Sequence, residues 1–193
     1  YQTGADTYEL FFVWAIAITA WVLLAQLGTM VLFWLGLVNL SVLLYFQTFG
    51  GFFGLLFSSS NQLWAMLILN AVALLMWEWL RWRGVRYLQA RWSVRVVATL
   101  VGVLATMLML EAIFSDGDRY RQIGQSANLL AILTYLVWAP LTLWVYRRKV
   151  KDLFVLAGLV LSLIITFNAW LAREVLSHSE AAGFLLVGLM IIG

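Results

Sequence analysis

"VATLVGVLATMLML", residues 97–110, is apolar at almost every position. A water-facing helix keeps its apolar residues on one stripe, and a membrane barrel strand alternates apolar with polar over about ten residues. This run does neither. Apolarity on every side suits a helix surrounded by hydrocarbon, where each backbone N–H and C=O must find its partner within the segment. The surrounding sequence is of the same kind: of 193 residues 64% are hydrophobic and 11% charged, and the mean hydropathy is +0.95. Soluble domains are roughly 45–50% apolar and about 25% charged, so composition excludes a water-soluble domain.

At roughly 20 apolar residues per crossing, the runs predict helices at 8–26, 29–47, 62–82, 94–114, 127–147 and 152–172, with a shortened run at 180–193. The expected fold class is all-α: a polytopic transmembrane helical bundle of six complete spans plus a truncated seventh, forming a single transmembrane domain over 1–193. The last run would rise only about 20 Å as a helix, against a hydrocarbon core of roughly 30 Å. Together with the tyrosine at position 1, this leads the sequence to be read as a portion of a longer protein.

The connections are informative. "LGT" at 27–29 predicts a tight hairpin, with Gly28 ending the first helix and Thr29 capping the second. "FQTFGGFFGLLFSSSNQ" at 46–62 is too long for a turn and too short to span; it reads as an interfacial or re-entrant segment, with "SSSN" capping the third helix.

"WEWLRWRGVRYLQARWSVR", residues 77–95, concentrates Arg81, Arg83, Arg86, Arg91 and Arg95, and "RRKVK" at 147–151 adds Arg147, Arg148, Lys149 and Lys151. Two spans separate these connections, so they share a face. That face holds nine of the twelve basic residues and two of the nine acidic ones, Glu78 and Asp152. Cytoplasmic loops carry excess Lys and Arg, which predicts an inner (plasma) membrane protein with the 81–95 and 147–151 loops cytoplasmic and residue 1 extracytoplasmic. Trp77, Trp79, Trp82 and Trp92 then read as an interfacial belt. The five arginines are expected to contact anionic lipid headgroups, which attract cytoplasmic basic clusters by about 1 kcal/mol per residue. Interleaved arginines and aromatics also describe a single-strand nucleic-acid groove, but the flanking spans account for every residue, so no nucleic-acid partner is assigned.

Polar residues inside the spans are the candidates for function. Asn39, Asn70 and Asn168 fall mid-span, where they either bond helix to helix or converge with Glu111 on a polar substrate or ion path. Glu111, in "TMLMLEAIF", either reaches the interface beside Arg119 or Arg121 or serves as a proton- or cation-binding carboxylate. Glu78 has Arg81 three residues on and is expected to pair with it. Pro140, the one proline, removes a hydrogen bond within the fifth span.

Chemistry is sparse. No cysteine is present, which excludes disulfides, thiolate metal sites and cysteine nucleophiles. The one histidine, His178, lies near Glu174 and Glu180, too few ligands for an assigned metal site. No nucleophile–base arrangement or phosphate loop is present. The sequence therefore predicts no catalytic residue, no metal and no cofactor.

Residues 1–47, opening "YQTGADTYELFF", and the end, with "KVKDLFVLAGL" and "EAAGFLLVGL", resemble the bacterial multi-pass membrane proteins of DUF2157, a domain of unknown function. The resemblance covers about half the chain, and "YQTGAD" is its distinctive part. It implies further residues before Tyr1, a cytoplasmic N-terminal region, and a periplasm-facing partner, since relatives' genes lie beside that of a small membrane-anchored protein with a GDYxxLxY motif. It supplies no activity. Tyr1, Gln2, Thr3, Gly4 and Asp6 are the motif positions it singles out; "TGAD" also reads as a turn and cap feeding the first span. The function expected is a non-enzymatic scaffold or accessory subunit of a membrane complex, with other membrane proteins as partners. The alternative is a transporter or channel for a small ion or lipid.

Overall fold

The computed structural model describes residues 6–50, 60–115 and 123–177. They form helices α1 (Thr7–Ala25), α2 (Gly28–Gly50), α3 (Ser60–Trp82), α4 (Arg91–Phe114), α5 (Ile123–Trp144) and α6 (Leu153–Ser177). A single 3-10 turn, Arg86–Leu88, lies between α3 and α4, and a π-helical turn, Val145–Lys149, follows α5. The described residues contain no strand, and six of their helices are long and apolar enough to cross a membrane. The fold is an all-α helical bundle, as its apolar runs require. The expected seventh span lies outside the described residues, as does most of the 46–62 segment, where α2 continues as helix to Gly50.

Contacts divide the chain into two compact units, Tyr1–Leu104 and Ala105–Gly193, with the division inside α4. In the first unit α1 and α2 form an antiparallel hairpin, but the turn differs from the one expected. Gln26, not Gly28, takes the left-handed conformation that ends α1, at φ 49° and ψ 39°. The Leu27 carbonyl then accepts the first bonds of α2, from the N–H groups of Met30 at 3.0 Å and Val31 at 3.3 Å. Leu27 therefore holds the position expected of Thr29. Gly28 is required for a different reason: a Cβ there would lie 3.0 Å from the Tyr87 carbonyl oxygen. At the other end Asp6 precedes α1 in an extended conformation. Its carbonyl accepts from the Glu9 N–H, while its side chain makes no cap bond.

The hairpin is fastened through backbone carbonyls. Trp34 Nε1 donates to the Ala15 carbonyl at 3.0 Å and to Thr19 Oγ1 at 3.1 Å, and Ser41 Oγ donates to the Tyr8 carbonyl at 3.0 Å. Within hydrocarbon, helices gain little by hiding apolar surface from one another, so packing and hydrogen bonds of this kind hold them together. Leu35 of α2, Trp77 of α3, Leu88 of the 3-10 turn, and Val94 and Val97 of α4 form a buried cluster, flanked by Val31, Trp34, Val85 and Tyr87.

In the second unit α5 runs through Pro140, which is exposed, and widens after Trp144. The Val150 N–H reaches the Val145 carbonyl at 3.1 Å, and the Asp152 N–H reaches that of Tyr146 at 3.1 Å. Lys151, at φ 50°, reverses the chain, and Asp152 starts α6 by accepting the Phe154 N–H at 3.1 Å on Oδ1.

Candidate functional site

The 77–95 region folds into a basic and aromatic rim in the first unit. Arg81 pairs with Glu78 at 3.9 Å, as the i, i+3 spacing predicts. Arg83 lies over the Trp79 ring, 4.4 Å from its centre, a cation–π contact. Arg83, Arg86 and Arg91 are exposed, as are Trp79, Trp82 and Trp92. Trp77 departs from the expected belt. It is 3% exposed and its Nε1 donates to the Leu88 carbonyl at 3.4 Å, so it is a core residue that fixes the loop. In the second unit Lys149 lies 4.8 Å from the Trp144 ring centre, a similar pairing of cation and aromatic.

Halfway along α2 and α3, Asn39 and Asn70 meet. Asn39 Nδ2 donates to Asn70 Oδ1 at 3.0 Å, and Asn70 Nδ2 donates to Asn39 Oδ1 at 2.6 Å. The second N–H of each amide turns back to its own helix, to the Leu35 carbonyl at 2.9 Å and the Met66 carbonyl at 2.8 Å. An Asn side chain has two N–H donors, and here all of them are used. Asn70 is fully buried and Asn39 nearly so. The pair is a closed helix-to-helix clasp with no donor left to offer a solute.

A chain of hydroxyls does the same work in the second unit. Thr106 Oγ1 of α4 and Ser162 Oγ of α6 are 2.7 Å apart, Ser162 Oγ is 2.7 Å from Tyr135 Oη of α5, and Tyr135 Oη is 3.3 Å from Thr166 Oγ1. Thr166 Oγ1 in turn donates to the Ser162 and Leu163 carbonyls at 3.0 and 3.1 Å. All four residues are buried. Three helices are thereby joined through one connected set of O–H groups.

No protein-family model matches the chain, and no curated protein or solved structure matches it. Its chemistry therefore has to be judged from its own residues.

Glu111 and Asn168 stand apart from the two clasps. Glu111 has Oε2 buried and, among the described residues, without a hydrogen-bond partner. Arg119 and Arg121, its expected partners, lie outside the described residues. Asn168 is exposed on α6, and its Nδ2 donates to the Ile164 carbonyl at 2.8 Å. Of the four residues expected to line one polar path, the structure brings two together, Asn39 and Asn70, and closes them on each other. Of the motif positions only Asp6 is described. His178 and Glu180 are not, and no group of three or more potential metal ligands occurs among the described residues.

Sequence reasoning passed over three features. The hydroxyl chain escapes it because Ser and Thr in apolar helices usually bond their own preceding turn, as Thr19 and Thr99 do. Ser93, 1% exposed, has a buried Oγ with no partner among the described residues, beside the Gly28 contact. Asp152, 4% exposed, was legible: an aspartate directly before an apolar run is an N-cap pattern.

Proposed function

We propose that this chain is a non-enzymatic membrane scaffold or accessory subunit of a membrane complex. The observation that carries this reading is the saturated Asn39–Asn70 clasp, in which the most deeply placed amides of the first unit are consumed in holding helices together. The hydroxyl chain of the second unit supports it in the same way. The same reading places the chain in an inner (plasma) membrane, with the 81–95 and 147–151 loops cytoplasmic and residue 1 extracytoplasmic. Exposed Arg83, Arg86 and Arg91, framed by Trp79, Trp82 and Trp92, favour anionic lipid headgroups on that side. Membership of the DUF2157-type proteins, with a periplasm-facing partner, belongs to this proposal and rests on the sequence of residues 1–47 and of the closing stretch from Lys149. Purification from native membranes, followed by mass spectrometry of what stays bound, tests it. A stoichiometric membrane-protein partner and retained acidic lipid are expected. A chain that emerges alone overturns it.

One observation favours transport as a second reading: inside a span, Glu111 has a buried oxygen with no hydrogen-bond partner among the described residues. That reading requires a proton or cation flux in proteoliposomes that Glu111→Gln abolishes.

A further inference from the structure

α6 carries an amide that its own unit leaves half used. The span within α6 covers Leu153–Glu174. Asn168 lies past its midpoint by about 7 Å at 1.5 Å per residue, well inside a hydrocarbon core of roughly 30 Å. The side chain is exposed. Among the described residues it makes one hydrogen bond, from Nδ2 to the Ile164 carbonyl, so one N–H and the Oδ1 acceptor face outward unpaired. Hydrocarbon offers them nothing, and an unsatisfied amide there is costly.

We infer that this face of α6 is where two copies of the chain associate, with the two Asn168 amides bonding to each other across a two-fold axis. An amide carries a donor and an acceptor on one group, so a second copy of itself satisfies both at once; a partner offering only one of the two leaves half the group unpaired. This molecule already uses that solution: Asn39 and Asn70 bond reciprocally while each keeps one N–H on its own helix. Asn168 has made the second kind of bond and lacks the first. A two-fold contact is self-complementary and closes without leftover groups. The rest of the face permits close approach. Ala157, Leu161, Ile164 and Ala172 are exposed at helical spacing from Asn168, and a Cβ on neighbouring Gly158 would meet nothing within 4 Å. No charged residue occurs between Leu153 and Ala172 to repel a second copy.

The inference deepens the scaffold reading by naming one partner. Since the chain contains no cysteine, Asn168→Cys supplies its sole thiol. Mild oxidation in native membranes should give a disulfide-linked dimer from Asn168→Cys, Leu161→Cys and Ala172→Cys, and little from Leu163→Cys or Trp170→Cys on the opposite face. With donor- and acceptor-labelled chains diluted in liposomes, Asn168→Leu should raise the dimer dissociation constant by about five- to tenfold, as expected for losing two intramembrane amide bonds, while Asn168→Gln stays within about twofold. Leu161→Cys and Ala172→Cys variants that stay monomeric, cross-linking of equal strength all round the helix, or unchanged association of Asn168→Leu overturns the inference. The two proposals fail separately. Cross-linked copies with no foreign partner sink the accessory-subunit reading alone, and a foreign partner with uncross-linked copies sinks this one alone.

Discussion

Asn39 and Asn168 occupy similar sequence, each an amide in an apolar run, yet one is buried in a clasp and the other faces outward. Depth in the span was legible from position along the chain. Partnership was not, because it depends on how each helix is rotated about its axis, and uniformly apolar helices give little amphipathic signal for that rotation. The clasp makes a prediction at this scale. Asn39→Leu leaves Asn70 buried with a donor and an acceptor open, and is expected to cost about 1–2 kcal/mol. The double variant Asn39→Leu with Asn70→Leu removes both needs at once, so its cost should fall below the sum of the singles by about 0.5–2 kcal/mol. Unfolding of the purified protein in mixed micelles measures all three. Simple additivity would show that the two amides do not hold each other.

Gly28 shows how an element's ends resist reading. Glycine between two apolar runs predicts a left-handed helix end, and here that conformation falls to Gln26, two residues earlier. The glycine is needed because the Tyr87 carbonyl, from the connection between α3 and α4, lies against it. A long-range approach of that sort leaves no local trace in sequence. It does give opposite signs for two similar substitutions in α2. Gly28→Ala presses a methyl onto a backbone oxygen and should destabilise by about 1 kcal/mol despite its better helix propensity. Gly36→Ala has nothing within 4 Å of the new Cβ and should gain up to about 1 kcal/mol. Thermal midpoints of the two variants in the same detergent decide the matter, and a stabilised Gly28→Ala would refute the close approach. The end of α5 hides a similar change: the apolar run continues to Tyr146 and the span to Lys149, but the backbone widens into a π turn from Val145.

At the scale of the molecule, the helical class and the six spans among the described residues were legible because twenty-residue apolar runs have few alternatives in a bilayer. The division into two units was not legible, since it falls inside one continuous helix, α4. The uneven distribution of charge makes the prediction at this scale. With a cysteine-free background, an impermeant maleimide applied to intact cells should label Thr7→Cys and leave Ala90→Cys untouched until lysis. Labelling in the reverse order would invert the proposed orientation. The short link between α1 and α2 also bears on how the chain is made. With only Gln26 and Leu27 between them, the two helices are made back to back and can pair as soon as both are in the bilayer. The Trp34 bonds to Ala15 and Thr19 can then form before α3 has left the ribosome. Asn39 enters with that early hairpin and without its mate, so the nascent pair stays receptive to the next helix until Asn70 arrives to complete it.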